Sequence, residues 1–221
     1  MREDVTVSRV TGREPGRRRV PREVREREML AVAEHAFAAR GFHNASVDAI
    51  AEGSGISKPM VYAYFGSKEG LYRACMEQAR GRLFENLRAG ADAGAAPDEQ
   101  LWLGLLAFFT FVDEQRDSYA VLLGEATSGA GPFAAEGAEV RRQVGALVDD
   151  LLRRAARAEG VEPAALEMVE PLARAIIGAA ESLAGWWREH PDEPRERVAL
   201  VLMNLAWVGL GDLVRGRRWT H

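Results

Sequence analysis

The chain has 221 residues, of which 47% are hydrophobic and 28% are charged, and its formal net charge is −4. It is long enough to bury a core, and no apolar run approaches the ~18 residues that a membrane-spanning helix needs. A single cysteine, Cys75, excludes a disulfide within the chain. We therefore expect a soluble, cytoplasmic protein and neither a membrane protein nor a disulfide-stabilised secreted one.

The charge is unevenly distributed along the chain. Residues 1–72 contain 12 basic and 10 acidic side chains, whereas the remaining residues contain 17 basic and 23 acidic ones. The chain has 27 arginines and only two lysines, Lys58 and Lys68. Because the positive charge lies toward the N-terminus, an acidic average does not exclude DNA as a partner.

Residues 1–20 show no hydrophobic periodicity and contain glycine and proline, so we expect a disordered basic tail. Arg17, Arg18 and Arg19 stand just before the first predicted helix. They either follow phosphates or a minor groove, as basic arms do, or lie in solvent, and the sequence leaves both alternatives open. No apolar stretch follows them, so this is not a secretory signal.

The first helix is predicted from residue 22 to residue 40, because apolar residues recur there at helical spacing. Gly41 is expected to end it in a left-handed conformation, and Phe42 to pack back on the helix end. The next stretch predicts two short helices that meet at a tight turn. Ser46 is a good N-cap for the first of them, and Gly53-Ser54-Gly55 stops it.

Ser57 is expected to cap the second short helix, on which Val61 and Phe65 face inward. The outward positions of that helix are Lys58, Pro59, Tyr62 and Ala63. A helix, a glycine turn and a second helix that shows lysine and tyrosine outward form a helix-turn-helix, whose second helix lies in the DNA major groove. As a local pattern it is also compatible with an ordinary helical hairpin.

A wider match favours the DNA-binding interpretation. From about residue 27 to about residue 77, the sequence resembles the N-terminal DNA-binding domain of the TetR family of transcriptional regulators. The matching residues, in order, are Phe37, Gly41-Phe42, Ser46, Ile50-Ala51, Gly55-Ile56-Ser57, Val61-Tyr62, Phe65, Ser67-Lys68-Glu69 and Leu71. The rest of the chain matches the family only in length and helical character.

The resemblance implies an all-α fold, with a three-helix DNA-binding domain over residues 21–75 and a helical ligand-binding and dimerisation domain over residues 76–221. It implies binding to double-stranded operator DNA. Tyr62, Tyr64 and Lys68 match family positions that hold phosphate, whereas Lys58, Pro59 and Ala63 match positions near base edges, and Ser46 is counted with these contacts. Ala63 departs from the larger residue often found there, which leaves its base preference open.

The helices predicted after the motif run over residues 67–88, 98–111, 118–126, 134–158, 163–189 and 194–215, with a linker over residues 89–97. Cys75 lies on the first of these, where a buried small residue and a redox sensor are the alternatives. The last helix is apolar nearly all round, and the helix before it has a face of small residues. Because such a terminal helix needs cover on both sides, we expect a homodimer through these two helices.

The second domain is rich in aromatic residues, which suggests a pocket for a small apolar or aromatic effector, although each of them is individually more typical of a core. The candidate aromatic contacts are Trp102, Phe108, Phe109, Tyr119, Trp186 and Trp207. The candidate polar contacts, which interrupt apolar stretches, are Glu125, Arg174, Glu181 and Asn204.

The sequence therefore predicts a dimeric regulator, most simply a repressor that an effector releases from a pseudo-palindromic operator. A DNA-binding or architectural regulator without a ligand is the first alternative, and the absence of a cavity in the second domain would favour it. A helical enzyme is the second, but four scattered histidines, no HxxxH and no phosphate-binding loop give no catalytic constellation. No cofactor and no metal site are predicted.

Overall fold

The structure is a computed structural model, which describes residues 21–123, 131–158, 160 and 167–208. The described part of the chain is built from α-helices and contains no strand. The helices are α1 (Arg22–Asn44), α2 (Val47–Gly53), α3 (Lys58–Phe65), α4 (Lys68–Ala93), α5 (Pro97–Glu114), α6 (Arg116–Leu123), α7 (Ala134–Ala158), α8 (Val169–Glu189) and α9 (Arg195–Met203), which continues as a π-helical turn over Asn204–Val208. The all-α prediction is confirmed.

The first helix is interrupted where the sequence predicts its end. Gly41 has a φ of 71° and a ψ of 168°, so it breaks the helix with positive φ but in an extended conformation rather than the left-handed helical one. Phe42 is buried beyond the break and packs edge-on against Tyr72 and Phe133. Only glycine adopts this backbone region readily, and the break turns the chain toward α2.

Helix α4 is longer than predicted, and the expected linker over residues 89–97 is wrong over most of its length. The helix continues to Ala93, because its alanine-rich end has high helix propensity and Ala91 is buried. Gly90 lets α5 approach closely, since a Cβ there would lie 2.6 Å from the carbonyl oxygen of Leu103. One uninterrupted helix, α4, therefore runs from the helix-turn-helix into the second half of the chain.

Other helix ends differ from the prediction or lie outside the described residues. Helix α6 begins at Arg116, two residues early, and residues 124–130 lie outside the described part. Helix α8 begins at Val169 rather than near residue 163, which places Pro171 in its first turn, where the missing amide hydrogen costs no helical hydrogen bond. The predicted end of the last helix, residues 209–215, lies outside the described residues.

The helix-turn-helix packs onto the rest of the chain through one continuous core. The Tyr72 hydroxyl donates to the Val121 carbonyl oxygen at 3.1 Å, and the Tyr72 ring lies 4.3 Å from that of Phe133. Cys75 is buried in this core, and burial raises its pKa above the ordinary thiol value. Such a thiol is protonated and inert at neutral pH, so the buried structural interpretation of Cys75 is confirmed.

A buried polar cluster joins α1, α4 and α6. The Glu34 side chain, on α1, is 6% exposed, and its carboxylate accepts a 3.1 Å hydrogen bond from the Arg82 guanidinium of α4. The Ser118 hydroxyl of α6 donates to the other Glu34 oxygen at 2.5 Å and accepts from Arg82 at 2.9 Å. Each of the three side chains hydrogen-bonds to the other two, as a buried charge requires, and the cluster fixes α1 relative to α4 and α6.

Candidate nucleic-acid interface and interior cavity

The turn between α2 and α3 forms for the reasons that the sequence indicates. The Ser46 hydroxyl accepts a hydrogen bond from the Ala49 amide at 3.4 Å and caps α2. Gly55 has a φ of 64°, which allows the chain to turn sharply before α3. Ser57 occupies the N-cap position of α3, but its hydroxyl makes no capping hydrogen bond. The prediction of two short helices around a glycine turn is confirmed.

Helix α3 presents one face to solvent and one to the core. Val61 is fully buried, whereas Pro59, Tyr62 and Ala63 are exposed, as predicted. Met60 is also exposed, by 39%, although it is not among the predicted site residues. Its position three residues before Ala63 is the signal that could have placed it on the same helix face.

Lys58 is held by an acidic residue of the preceding helix. Its ammonium lies 2.9 Å from a carboxylate oxygen of Asp48, and this hydrogen bond raises the pKa of Lys58. The lysine therefore stays protonated at neutral pH, with one of its N–H groups directed at α2. The ion pair is exposed to solvent, so DNA phosphates or base edges can compete for the lysine.

Lys68 and Tyr64 flank α3. The Lys68 ammonium donates to the His43 carbonyl oxygen at 3.0 Å and lies 4.9 Å from the centre of the Phe42 ring. Tyr64 is half-buried, and the Arg22 guanidinium lies 4.9 Å from its ring centre. Arg22 is thus brought to α3 by the start of α1, whereas Arg17, Arg18 and Arg19 lie outside the described residues. These cations border the exposed face of α3.

An apolar cavity of about 80 Å³ lies between α4, α5, α7 and α8. It is lined mostly by aliphatic side chains, and its lining includes Leu83, Leu87, Leu105, Val144, Leu147, Val148 and Ile176. Phe108 and Glu181 are the candidate effector contacts that line it. The Glu181 carboxylate pairs with the Arg141 guanidinium at 2.7 Å, so the charged groups at the cavity neutralise each other.

The other described candidate effector contacts do not line this cavity. Phe109 is buried and packs edge-on against Trp187, and Tyr119 is buried beside Phe108. Trp102 is partly buried against the core. Arg174, Trp186, Asn204 and Trp207 are exposed, Arg174 pairing with Glu170 at 2.9 Å and Trp186 stacking on His190. Glu125 lies outside the described residues.

Helices α8 and α9, with the π-helical turn that follows α9, carry several large apolar side chains that are exposed. Leu205 is 65% exposed and Val201 is 55% exposed, and Leu200, Trp186 and Trp207 are also exposed large apolar residues. The small residues that the sequence analysis noted on α8, including Gly178 and Ser182, are exposed as well. Exposed apolar surface on this scale indicates a contact with another molecule.

The described residues contain no group of three or more histidine, cysteine or acidic side chains arranged to hold a metal ion. Among the described helices, none combines the length and the apolar character that crossing a membrane requires.

Comparison with known proteins identifies both halves of the chain. Residues 29–75 match the model of bacterial regulatory proteins of the tetR family, and residues 97–209 match the model of the tetracyclin repressor-like C-terminal domain. The HTH-type transcriptional activator FasR of Mycolicibacterium smegmatis is 28% identical over 197 residues, which cover 88% of this chain and 87% of FasR.

Solved structures show the same architecture. A TetR-like transcriptional regulator from Rhodococcus sp. RHA1 is 36% identical, with a TM-score of 0.73 over 87% of this chain and 99% of that one. The regulator FadR of Bacillus subtilis, solved in complex with stearoyl-CoA, has the same fold at 18% identity, with a TM-score of 0.65 over 86% of this chain and 98% of that one.

Proposed function

The chain is a DNA-binding transcriptional regulator of the TetR family, and we propose that it acts as a homodimeric repressor whose operator is released by an effector with an apolar chain. The observation that carries the proposal is the pairing of an exposed helix-turn-helix with an apolar cavity, the two joined by one continuous helix, α4. We assign DNA binding to residues 21–75 and effector binding and dimerisation to residues 76–221, with residues 1–20 as a basic tail.

The exposed apolar surface of α8 and α9 supports the dimer. A second copy that covers Val201 and Leu205 would bury the large apolar residues left in solvent by one chain. Two helices from each subunit would then form a four-helix bundle, with the small residues of α8 allowing close approach. In such a dimer, two α3 helices related by a dyad would meet successive major grooves about 34–36 Å apart.

The cavity supports an effector with an aliphatic chain more than an aromatic one. Its lining is largely leucine, valine and isoleucine, and in the related fold of FadR the bound molecule is stearoyl-CoA. At about 80 Å³ the cavity is narrow, so a whole chain enters only if α4 and its neighbours move apart. The effector would then bind one conformation better than the other, which is the condition for a population shift. A typical coupling of ~1–3 kcal/mol changes operator affinity by about 5–150-fold.

The cavity also weighs against a regulator without a ligand, since that alternative was expected to lack one. Membership of a family of regulators weighs against a helical enzyme. FasR is named an activator, so a reporter gene placed behind the selected operator is needed to decide between repression and activation. We expect higher expression when the effector is present, and effector-dependent loss of expression would make this chain an activator.

The first experiment selects bound fragments from random double-stranded DNA with the purified full-length protein. We expect enrichment of an inverted repeat whose half-sites lie about one helical turn apart or a multiple of it. Enrichment of no fragment over bulk competitor DNA would overturn the proposal.

Replacing Lys68 by methionine tests the phosphate role of this lysine and keeps an aliphatic side chain over Phe42. We expect affinity for the operator and for unrelated DNA to fall by the same factor. The slope of log affinity against log salt should shrink by about one per subunit, because each lost phosphate contact contributes about 0.9. Fluorescence anisotropy across a salt series measures both quantities.

The control for Lys68→Met is Arg154→Met, which removes one positive charge from α7. It should leave the slope unchanged. An unchanged slope in Lys68→Met itself would show that this lysine does not contact phosphate.

Replacing Gly104 by methionine tests the effector cavity. Gly104 lies on α5 and lines the cavity, and an added Cβ would meet nothing within 4 Å. The Cβ should therefore fit without a clash, and the flexible remainder of a methionine should occupy cavity space. Helix stability should rise, since glycine costs up to ~1 kcal/mol in a helix. We expect stearoyl-CoA to weaken operator binding by wild type at least fivefold and to leave Gly104→Met bound.

Gly104→Ala is the matched control, because it gives a similar gain in helix propensity with little change in cavity volume. It should respond to stearoyl-CoA as wild type does. If saturating stearoyl-CoA leaves the operator affinity of wild type unchanged, the proposal of a long-chain effector is contradicted, while the proposal of DNA binding stands.

A further inference from the structure

The exposed face of α3 carries an apolar patch at the place where a DNA-reading helix meets base edges. Met60 and Ala63 are three residues apart, and Pro59 and Ala63 are four apart, so the three side chains share one helix face. All three are exposed, and Met60 is 39% exposed. We call Pro59, Met60 and Ala63 the apolar reading patch.

The polar side chains of α3 offer little of the usual hydrogen-bonding readout. The helix sequence, KPMVYAYF, contains no arginine, asparagine or glutamine, and Lys58 is its one residue of the kinds that form bidentate pairs with guanine or adenine. Lys58 can contact a base only by exchanging its exposed ion pair with Asp48, 2.9 Å away, and Tyr64 is half-buried beside Arg22. Beside Tyr62, which is 37% exposed, the exposed face of α3 therefore consists of the apolar reading patch.

Of the four bases, thymine alone presents a methyl group in the major groove. A methionine against that methyl loses no hydrogen bond, and its flexible, polarisable side chain adapts to the contact. Against the amino or carbonyl groups of the other bases, the same side chain would displace water without replacing its hydrogen bonds, which is unfavourable. Apolar contact thus favours binding to thymine and also disfavours binding to the other three bases.

We propose that the apolar reading patch recognises thymine methyl groups in each operator half-site, with Met60 as the main specificity-determining residue. The inference rests on the proposed function, because it needs α3 to lie in the major groove. The proposal assigns thymine as the preferred base, which the small Ala63 leaves open, and it gives a role to Met60, which is not among the predicted site residues.

The test replaces thymine by deoxyuridine, one position at a time, in an operator selected with the full-length dimer. This change removes a methyl group and keeps every hydrogen-bonding atom of the base. At one or two positions per half-site we expect affinity to fall about fourfold, the effect of one buried methyl. Met60→Ala should bind the thymine and deoxyuridine operators equally at those positions.

The two failures are distinguishable. If selection enriches no fragment, the proposed function fails and this inference with it. If an inverted repeat is enriched but every deoxyuridine change leaves wild-type affinity within twofold, DNA binding stands and methyl recognition is overturned. Should Met60→Ala bind too weakly for comparison, Met60→Gln replaces it; selection with that variant should give adenine instead of thymine at the sensitive position, and retained thymine would overturn the role of Met60.

Discussion

Replacing Val201 by lysine should convert the protein into a monomer that no longer holds its operator. Val201 lies in the last turn of α9 and is 55% exposed, so the substitution disturbs little packing within one chain. In the proposed dimer the same position lies in a four-helix bundle, where two buried lysines related by the dyad would repel each other without partners. Light scattering after size-exclusion chromatography should give half the wild-type mass, with unchanged helix content by circular dichroism.

The loss of DNA binding follows because a monomer has only one helix-turn-helix. A monomer binds one half-site, and without the second, tethered contact the affinity falls by about 10²–10⁴-fold. The matched control is Glu196→Lys, which introduces the same residue on α9 at a polar exposed position five residues away. It should remain dimeric and bind the operator. A dimeric Val201→Lys variant with full operator affinity would show that α9 is not the interface.

The second large effect is expected from Arg82→Leu. The Arg82 side chain is 36% exposed, but its partner Glu34 is 6% exposed, so the substitution leaves a buried carboxylate with only Ser118 as a donor. Breaking a buried pair from one side costs about 3–5 kcal/mol of unfolding free energy, and we expect about 3 because Arg82 is partly solvated. For a chain of this size the Tm should fall by about 6–12 °C.

Two further variants distinguish the loss of the buried Glu34–Arg82 pair from a general effect of removing an arginine on stability. Arg88→Leu changes an exposed arginine on the same helix and should alter stability by less than about 0.5 kcal/mol. Adding Glu34→Gln to Arg82→Leu should recover part of the loss, because a neutral amide is less costly to bury than a carboxylate. Equal Tm values for Arg82→Leu and Arg88→Leu would contradict this account of the cluster.

The helix-turn-helix was predictable because its signals are local. Ser46 caps α2 by accepting a hydrogen bond from the amide of Ala49, three residues later, and Gly55 supplies the positive φ of the turn. Both effects depend only on residues that are close in the sequence. The end of α4 was missed for the opposite reason. Its glycine and alanine residues resemble a linker until Gly90 is seen to allow the close approach of α5.

The cavity was only partly predictable. Helical periodicity identifies which side chains point inward, but not where neighbouring helices leave space between them. Phe109 and Phe108 are adjacent and both apolar; the first fills the core and the second lines the cavity. The leucine and valine residues that form most of the lining are indistinguishable in sequence from ordinary core residues. Of the candidate aromatic contacts that the structure describes, Phe108 alone lines the cavity.

The uninterrupted length of α4 has a mechanical consequence. Its 26 residues, at ~1.5 Å each, make a rod of about 39 Å. A tilt of about 5° around the cavity end would swing the opposite end by roughly 3 Å, close to the 3.4 Å rise of one base pair. In the proposed dimer, a small outward movement of the helices around the cavity would therefore be enough to move both DNA-binding domains out of register with their grooves.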